Sequence, residues 1–424
     1  MPTHKAAVVI KRRYGARIEV IMPERIIFHV DVNSAFLSWE AVHRIMDLGE
    51  ELDLRTIPSA VGGDISKRHG VVLAKSTPAK QFHIHTGEPI QRALQKCPHL
   101  MVVPPNHGLY AQYSKKLHNM LYDYTPVIEP FSIDEAFLDM TGVCLNHREA
   151  IETANKMKKR IKEELHFTVN IGISTNKLLA KMASDFKKPD FVHTLFLEEI
   201  PNKMWPLPLD ELFFVGKATS KSLHSLGLKT IGDIANMDLR ILKAHLGNKH
   251  GEMIYKNAKG MDESPVEAET AANKGYGNST TLSQDVTDFE TANLILLSLC
   301  ETVAARLRSD DVKCSCISVE VTDWEFNRQS HQTTLLSPTN TTNTIYKTAC
   351  ELLKDFWTGT PLRLLGVRTS KVTVENYSQM NLFDMAKNEK YAKLDKTLDH
   401  IRKKFGQDAI KRASFMETNK KENN

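Results

Sequence analysis

The sequence predicts an α+β chain of several domains. Through the first 190 residues, short apolar strands alternate with segments of helical periodicity, and beyond residue 270 a second strand-and-helix module follows. Between them lie short helices with glycine-bearing turns. The length of 424 residues, 41% hydrophobic and 25% charged, sets the scale. It suffices for roughly three or four domains with substantial cores.

RIIFHVDVN (25–33) reads as an apolar strand ending at Asp31, and SAFLSWEAVHRIMDLG (34–49) as a helix capped by Asn33 or Ser34. GVVLAK (70–75) is a short strand, and EPIQRALQKC (88–97) and residues 106–125 are helices. FSIDEAFLDM (131–140) is strand-like, residues 148–166 form a helix, and FTVNIGIS (167–174) is a strand. A further helix over 176–190 is stopped by Pro189. FFVGKATSKSLHSLGLKTIGDIANM (213–237) gives a helix pair whose tight turn can aim backbone amides and Lys217 at a phosphate. ETAANKGYG (269–277) is linker-like. The helix 294–309 and strands 316–326 and 368–377 form the last module, and the tail from about 384 is expected to be polar and partly disordered.

A net charge of +5, from 56 basic against 51 acidic residues, is mild, so any affinity for nucleic acid must come from locally grouped basic residues. Six scattered cysteines and no apolar signal segment in MPTHKAAVVIKRRYG point to a reducing cytoplasmic setting. No run reaches transmembrane length.

Asp134 and Glu135 stand side by side among Phe131, Ile133, Phe137 and Leu138, residues that seek an apolar environment. Two ionised carboxylates there cost several kcal/mol unless paired or bound to a cation. Strict alternation would send them to opposite faces, so they are expected at a hairpin tip, where an adjacent strand could add Asp31. Three hard oxygen donors at strand ends suit two Mg²⁺ ions of the kind that serve phosphoryl transfer. The plainer alternative makes Asp31 a helix cap and Glu135 the partner of a lysine.

DVNSAF (31–36), SIDEAFLD (132–139) and NIGISTNKLLAKMASDFKKPD (170–190), in this order and spacing, resemble the signatures of Y-family translesion DNA polymerases of the bacterial DinB type. The resemblance runs from about residue 25 to 385. It implies a right-hand polymerase: palm in 1–34 and 98–199, fingers in 35–97, a helical thumb of helix-hairpin-helix character in 200–265, a linker in 266–277, a little finger in 278–378, and a clamp-binding peptide with a polar tail in 379–424. The implied activity is template-directed, Mg²⁺-dependent DNA synthesis past damaged bases, error-prone and without a proofreading exonuclease. Primer-template DNA, deoxyribonucleoside triphosphates and a sliding clamp are the implied partners, with no membrane, and a monomer is expected.

Carried over by motif position, Asp31, Asp134 and Glu135 would bind the two metals, and the Val32 carbonyl would add a ligand. Phe36 falls at the steric gate against a ribose 2′-hydroxyl. Thr77 and Lys80 stand where many relatives carry Tyr and Arg and, with Lys188, would meet the triphosphate. Lysine keeps the charge but loses the planar fork. Val71 and Leu73 would lie over the templating base, and Gly216 and Lys217 would contact DNA. QMNLF (379–383) resembles clamp-binding peptides, with Gln379, Leu382 and Phe383 as contacts.

Four other features carry less. The GGD in VGGDISKR is read as a turn, His83 and His85 lack a third metal ligand, Cys314 and Cys316 share one strand face, and KMKKRIK (156–162) is a solvated basic helix face. A palm-domain nucleotidyl cyclase would keep the carboxylates without needing the helix pair or the last module. A non-catalytic DNA-binding scaffold recruited by a clamp would not need all three carboxylates.

Overall fold

The computed structural model describes residues 8–13, 16–21, 24–63, 70–269, 272–374 and 385–415. The backbone divides into two compact units, one of residues 1–63 and 71–270, the other chiefly of 271–424.

In the first unit a hairpin of β1 (Val8–Arg13) and β2 (Ala16–Ile21) precedes β3 (Ile27–Val32) and α1 (Ala35–Met46). A small subdomain follows: β4 (Ser59–Gly62), β5 (Val72–Lys75), α2 (Thr77–Lys80), α3 (Ile90–Lys96) and β6 (Met101–Val103), closed around Val72, Ile84, Ile90 and Cys97. The chain returns through α4 (His107–Leu121), β7 (Ile128–Pro130), β8 (Glu135–Asp139), α5 (His147–Leu165), β9 (Val169–Ser174), α6 (Lys177–Asp185) and β10 (Val192–Thr194). The helices α7 (Ile200–Lys203), α8 (Lys217–Ser225), α9 (Ile231–Asn236), α10 (Leu239–Leu246) and α11 (Asn248–Ala258) complete it.

The central sheet has the order β10-β9-β3-β8-β7, with β3 antiparallel to both neighbours. Alternation along β3 does the sorting. Phe28, Val30 and Val32 enter the main core with Trp39 of α1, Tyr110 of α4 and Ile161 of α5. Ile27, His29 and Asp31 face the other way, toward α6. Gly172 of β9, opposite His29, lets α6 lie against the sheet, because a Cβ there would collide with the Ala180 carbonyl oxygen.

In the second unit β11 (Gly275–Val286), α12 (Phe289–Ser309), β12 (Lys313–Asp323), β13 (Arg328–Thr339), α13 (Thr342–Phe356) and β14 (Leu362–Thr373) precede α14 (Met385–Phe405). The antiparallel sheet β11-β14-β12-β13 packs on α12 and α13 through Leu296, Val303, Ile317, Val319, Ile345 and Leu365.

Several expectations need correction. The tail beyond 384 contains a 21-residue helix, α14, held by ion pairs rather than left disordered. Gly275–Gly277 open β11, so they are paired backbone rather than linker. The helix expected to reach Pro189 ends at Asp185, and Phe131 is exposed because the chain turns there before β8 begins. The basic face on α5 is solvated as expected, with Lys156, Lys159 and Lys162 exposed, although Lys158 and Lys162 also reach Asp190 at 3.1 and 2.8 Å. The helix start at Ser34 uses no side-chain cap; its backbone is left-handed at φ 49°.

Candidate active site

The β7–β8 hairpin sets the carboxylates. Its tip is closed by the Phe131 and Ser132 amides, which donate to the Glu135 carbonyl, while the Val32 amide donates to the Asp134 carbonyl. Glu135 opens β8 directly opposite Asp31 on β3, and opposed residues of an antiparallel pair share a face. Asp134 sits one residue earlier in the turn, with its Oδ1 accepting from Ser132 Oγ at 2.6 Å. The hairpin-tip reading therefore describes the backbone.

Cations from α6 and the loop after it meet this face. Lys181 Nζ lies 3.0 Å from Glu135 Oε1, and Lys188 Nζ lies 3.1 Å from Asp31 Oδ2 and 2.8 Å from Asp185. Behind them His29 is fully buried; its Nδ1 pairs with Ser184 Oγ at 2.8 Å, and its Nε2, 3.8 Å from Glu135, has no hydrogen-bond partner. Burial pushes the Asp31 carboxyl up to about 7, against the pull of Lys188. Burial acts the same way on Glu135, but the Lys181 ammonium 3.0 Å away outweighs it and holds that group well below the usual carboxylate range. Burial lowers His29 and keeps its ring neutral at pH 7. One carboxyl of the opposed pair thus holds its charge while the other readily takes a proton, as expected for close like charges.

The carboxylate face opens on a cavity of about 410 Å³ whose wall includes Asp31, Val32, Phe36, Leu73, Lys80, Asp134 and Lys188. A second cavity of about 170 Å³ shares Asp31, Lys80 and Lys188 and adds Thr77 and Arg55. Phe36 is half-buried and stacked on Tyr110 at 4.6 Å, with His107 edge-on at 5.8 Å, so its ring is braced from behind. In β5 the alternation leaves Leu73 half-buried and Val72 and Ala74 buried. Val71 precedes the strand, is exposed, and is not in the cavity wall. Gly216 caps α8 and Lys217 begins it, both exposed and elsewhere in the unit. Gln379, Leu382 and Phe383 lie outside the described residues.

Three contributors were missed in the sequence. Lys181 had a signal, since it sits one helical turn after Lys177 on the helix of the third motif. His29 had a weaker one, two residues before Asp31 and so on its face of the strand. Arg55 had none: it comes from a loop, with its guanidinium held by Asp53 at 2.9 Å and by the His166 carbonyl at 2.6 Å.

Among the described residues no three side chains of His, Cys, Asp and Glu converge as a ready metal cage, which includes His83 and His85. Mg²⁺ does not demand one, because it is commonly held by one or two carboxylates together with substrate phosphates. The donor set here is hard oxygen, and ammonium groups already stand as counter-charges at two of the three carboxylates. These residues fit a divalent cation. No helix among the described residues is long and apolar enough to cross a membrane.

Comparison with known proteins bears on most of the chain. Residues 30–185 match the impB/mucB/samB family, residues 273–382 its C-terminal domain, and residues 211–262 the thumb domain described for DNA polymerase-iota. The chain is 46% identical over 397 residues to DNA polymerase IV of Clostridium acetobutylicum, covering 94% of this chain and 100% of the relative. It is 36% identical to DNA polymerase IV of Acetivibrio thermocellus, covering 93% and 98%, and 36% identical to DNA polymerase IV 1 of Bacillus subtilis, covering 92% and 93%. A solved Y-family DNA polymerase chimera superposes with a TM-score of 0.73 at 24% identity, covering 82% of this chain and 100% of that one, a likeness of fold.

Proposed function

The chain belongs to the Y family of DNA polymerases, of the DNA polymerase IV type, and from that membership we propose the roles of its active-site residues. It is a DNA-directed DNA polymerase of translesion synthesis, acting on template DNA with deoxyribonucleoside triphosphates, in a family that uses divalent metal. Membership sets aside the cyclase and the non-catalytic scaffold.

We assign two Mg²⁺ ions to Asp31, Asp134, Glu135 and the Val32 carbonyl. Bound there, such ions lower the pKa of a primer 3′-hydroxyl and neutralise charge on a triphosphate. The observation that carries the assignment is the opposed Asp31–Glu135 pair, with Lys188 and Lys181 as counter-charges, beside a cavity that Asp31, Asp134 and Lys188 line together with Phe36 and Lys80. Lys188 has two tasks in this reading. Without a cation it offsets buried Asp31; with one, its ammonium is free to turn to the triphosphate. Lys80, Thr77 and Arg55 receive the remaining phosphates, with Arg55 supplying the planar fork that Lys80 lacks. Phe36, braced by Tyr110, excludes a 2′-hydroxyl. Leu73, with Val71 at its edge, roofs the templating base, and Gly216 with Lys217 meets the DNA backbone at the start of α8.

The palm, fingers, thumb, linker, little-finger and tail ranges given above are proposed with these roles, amended at Gly275–Gly277 and α14. The clamp peptide Gln379, Leu382 and Phe383 would act by tethering, which raises effective concentration without touching chemistry.

Primer extension tests the reading. Asp134→Asn or Glu135→Gln should lower single-turnover incorporation by about a thousandfold or more, since each removes several kcal/mol of charge stabilisation, while primer-template binding persists. Parent-like extension by either variant would remove the carboxylates from the mechanism. In the same assay with a loaded clamp, the variant Leu382→Ala/Phe383→Ala should lose the stimulation and keep clamp-free activity; equal stimulation would remove the clamp assignment.

A further inference from the structure

Positive charge is concentrated in α14 and the residues just after it. Residues 385–415 carry nine lysines and arginines against four acidic residues, an excess equal to the formal net charge of +5 for all 424 residues, so the remainder of the sequence is balanced. All four acidic side chains are engaged: Asp395 and Asp399 by Arg308, Asp408 by Lys411, and Glu389 by Lys393. Two of the cations without an ion pair, Lys396 and Lys403, face one place.

That place is a groove of about 1110 Å³ between α12 and α14. One wall is a stripe of hydroxyls on α12, Ser298, Thr302 and Ser309; the other is a stripe on α14, Lys396, His400 and Lys403, at the spacing of one helix face. Lys396 and Lys403 are exposed and make no ion pair among the described residues. Arg306 also lines the groove, its only described hydrogen bond going to the Gly277 carbonyl. The two acidic residues on the lining are neutralised, Glu301 by Arg402 and Arg412, and Asp399 by Arg308.

We infer that this groove binds the phosphodiester backbone of DNA. Lysines as point charges beside serine and threonine hydroxyls are the donors that meet phosphate oxygens. Lys396 and Lys403 are separated by about 10 Å along the helix, roughly three base steps of one B-form strand. An acidic peptide would want apolar anchor pockets, and Ala305 is the only aliphatic side chain on the lining. The inference goes beyond the active-site assignments and uses none of them, for the groove is built wholly from the second unit.

The test is DNA binding by the full chain across a salt series, with a fluorescent primer-template. Lys396→Ala/Lys403→Ala should make the slope of log K against log salt shallower by about 2, near 0.9 per lost phosphate contact. The affinity the parent loses between 50 and 200 mM salt then shrinks by about tenfold in the variant. Single-turnover incorporation at saturating DNA should match the parent, as should thermal unfolding, because neither lysine has a described partner to lose. A slope unchanged within error, for Lys396→Glu/Lys403→Glu as well, overturns the proposal. So does parent binding of a labelled polyglutamate peptide that the variant loses while its DNA slope stays put; the groove would then take an acidic protein. Failure of the polymerase reading would look different, as absent incorporation by the parent.

Discussion

The carboxylate face of the first unit and the α12–α14 contact of the second use the same groups to opposite ends. Around α14 the charges close on one another. Arg308, nine-tenths buried, gives two bonds to Asp399 at 2.6 and 3.0 Å and one to the Asn340 carbonyl. Asp395 accepts from the Thr342 amide at 2.8 Å, supplying the helix cap that Thr341 does not provide for α13. At the active site the pairing is looser in kind: two opposed carboxylates meet single lysines, and one carboxyl is driven toward its neutral form. A satisfied network fixes structure, whereas an unsatisfied one is a place where a ligand can substitute.

The comparison is broken most forcefully at Arg308. Arg308→Ala takes from buried Asp395 its nearer cation, leaving Arg412 at 3.9 Å, and from Asp399 its partner, a change of about 3 kcal/mol, the low end for a buried pair. Hydrogen exchange should then show α14 and the start of α13 opening early, while single-turnover incorporation at saturating DNA stays near the parent rate. Protection of α14 equal to the parent would mean that the network does not hold the helix.

The reverse is expected at Asp31. A carboxyl whose pKa is higher in the folded than in the unfolded chain holds an extra proton in the native state between the two values. Stability therefore falls as pH rises from about 4, the unfolded value, to about 7, the folded one. In cation-free buffer Asp31→Asn should melt above the parent at pH 8, by up to a few kcal/mol, with no such gain at pH 4, and it should be inactive at both. A variant less stable than the parent at pH 8 would place Asp31 among the structural charges.

A smaller effect sharpens the boundary between binding and gating. Phe36→Ala removes a ring stacked on Tyr110 and should raise ribonucleotide relative to deoxyribonucleotide incorporation by about tenfold or more, equivalent to about 1.4 kcal/mol. Unchanged sugar selectivity in single-turnover assays would make the stack a core contact only.

The two regions also differed in how far the sequence disclosed them. At the active site strand period and hairpin position pointed to Asp31, Asp134 and Glu135, whose alternation is visible in the residues, whereas Phe36 and Lys80, both on helices, came only from the family resemblance. Lys181 and His29 were missed since their partners lie far away in the chain, and Arg55 because a loop position follows from tertiary closure alone. In the tail the signal was present and overridden by polarity. Tyr391, Leu394, Leu398, Ile401 and Phe405 recur at three and four residues, and Gly406, at φ 97°, ends the helix. What could not be read was that Arg308, in an apolar helix, awaited Asp395 and Asp399 some ninety residues on.

The most direct measurement counts divalent cations at the carboxylates without relying on turnover. Mn²⁺, followed by electron paramagnetic resonance, is titrated into the full chain with a primer-template lacking a 3′-hydroxyl and a matching triphosphate. The parent should bind two ions more tightly than free triphosphate accounts for, and Asp134→Asn and Glu135→Gln should each lose at least one of them. Equal Mn²⁺ binding by the parent and both variants would contradict the assignment of the cations to Asp31, Asp134 and Glu135.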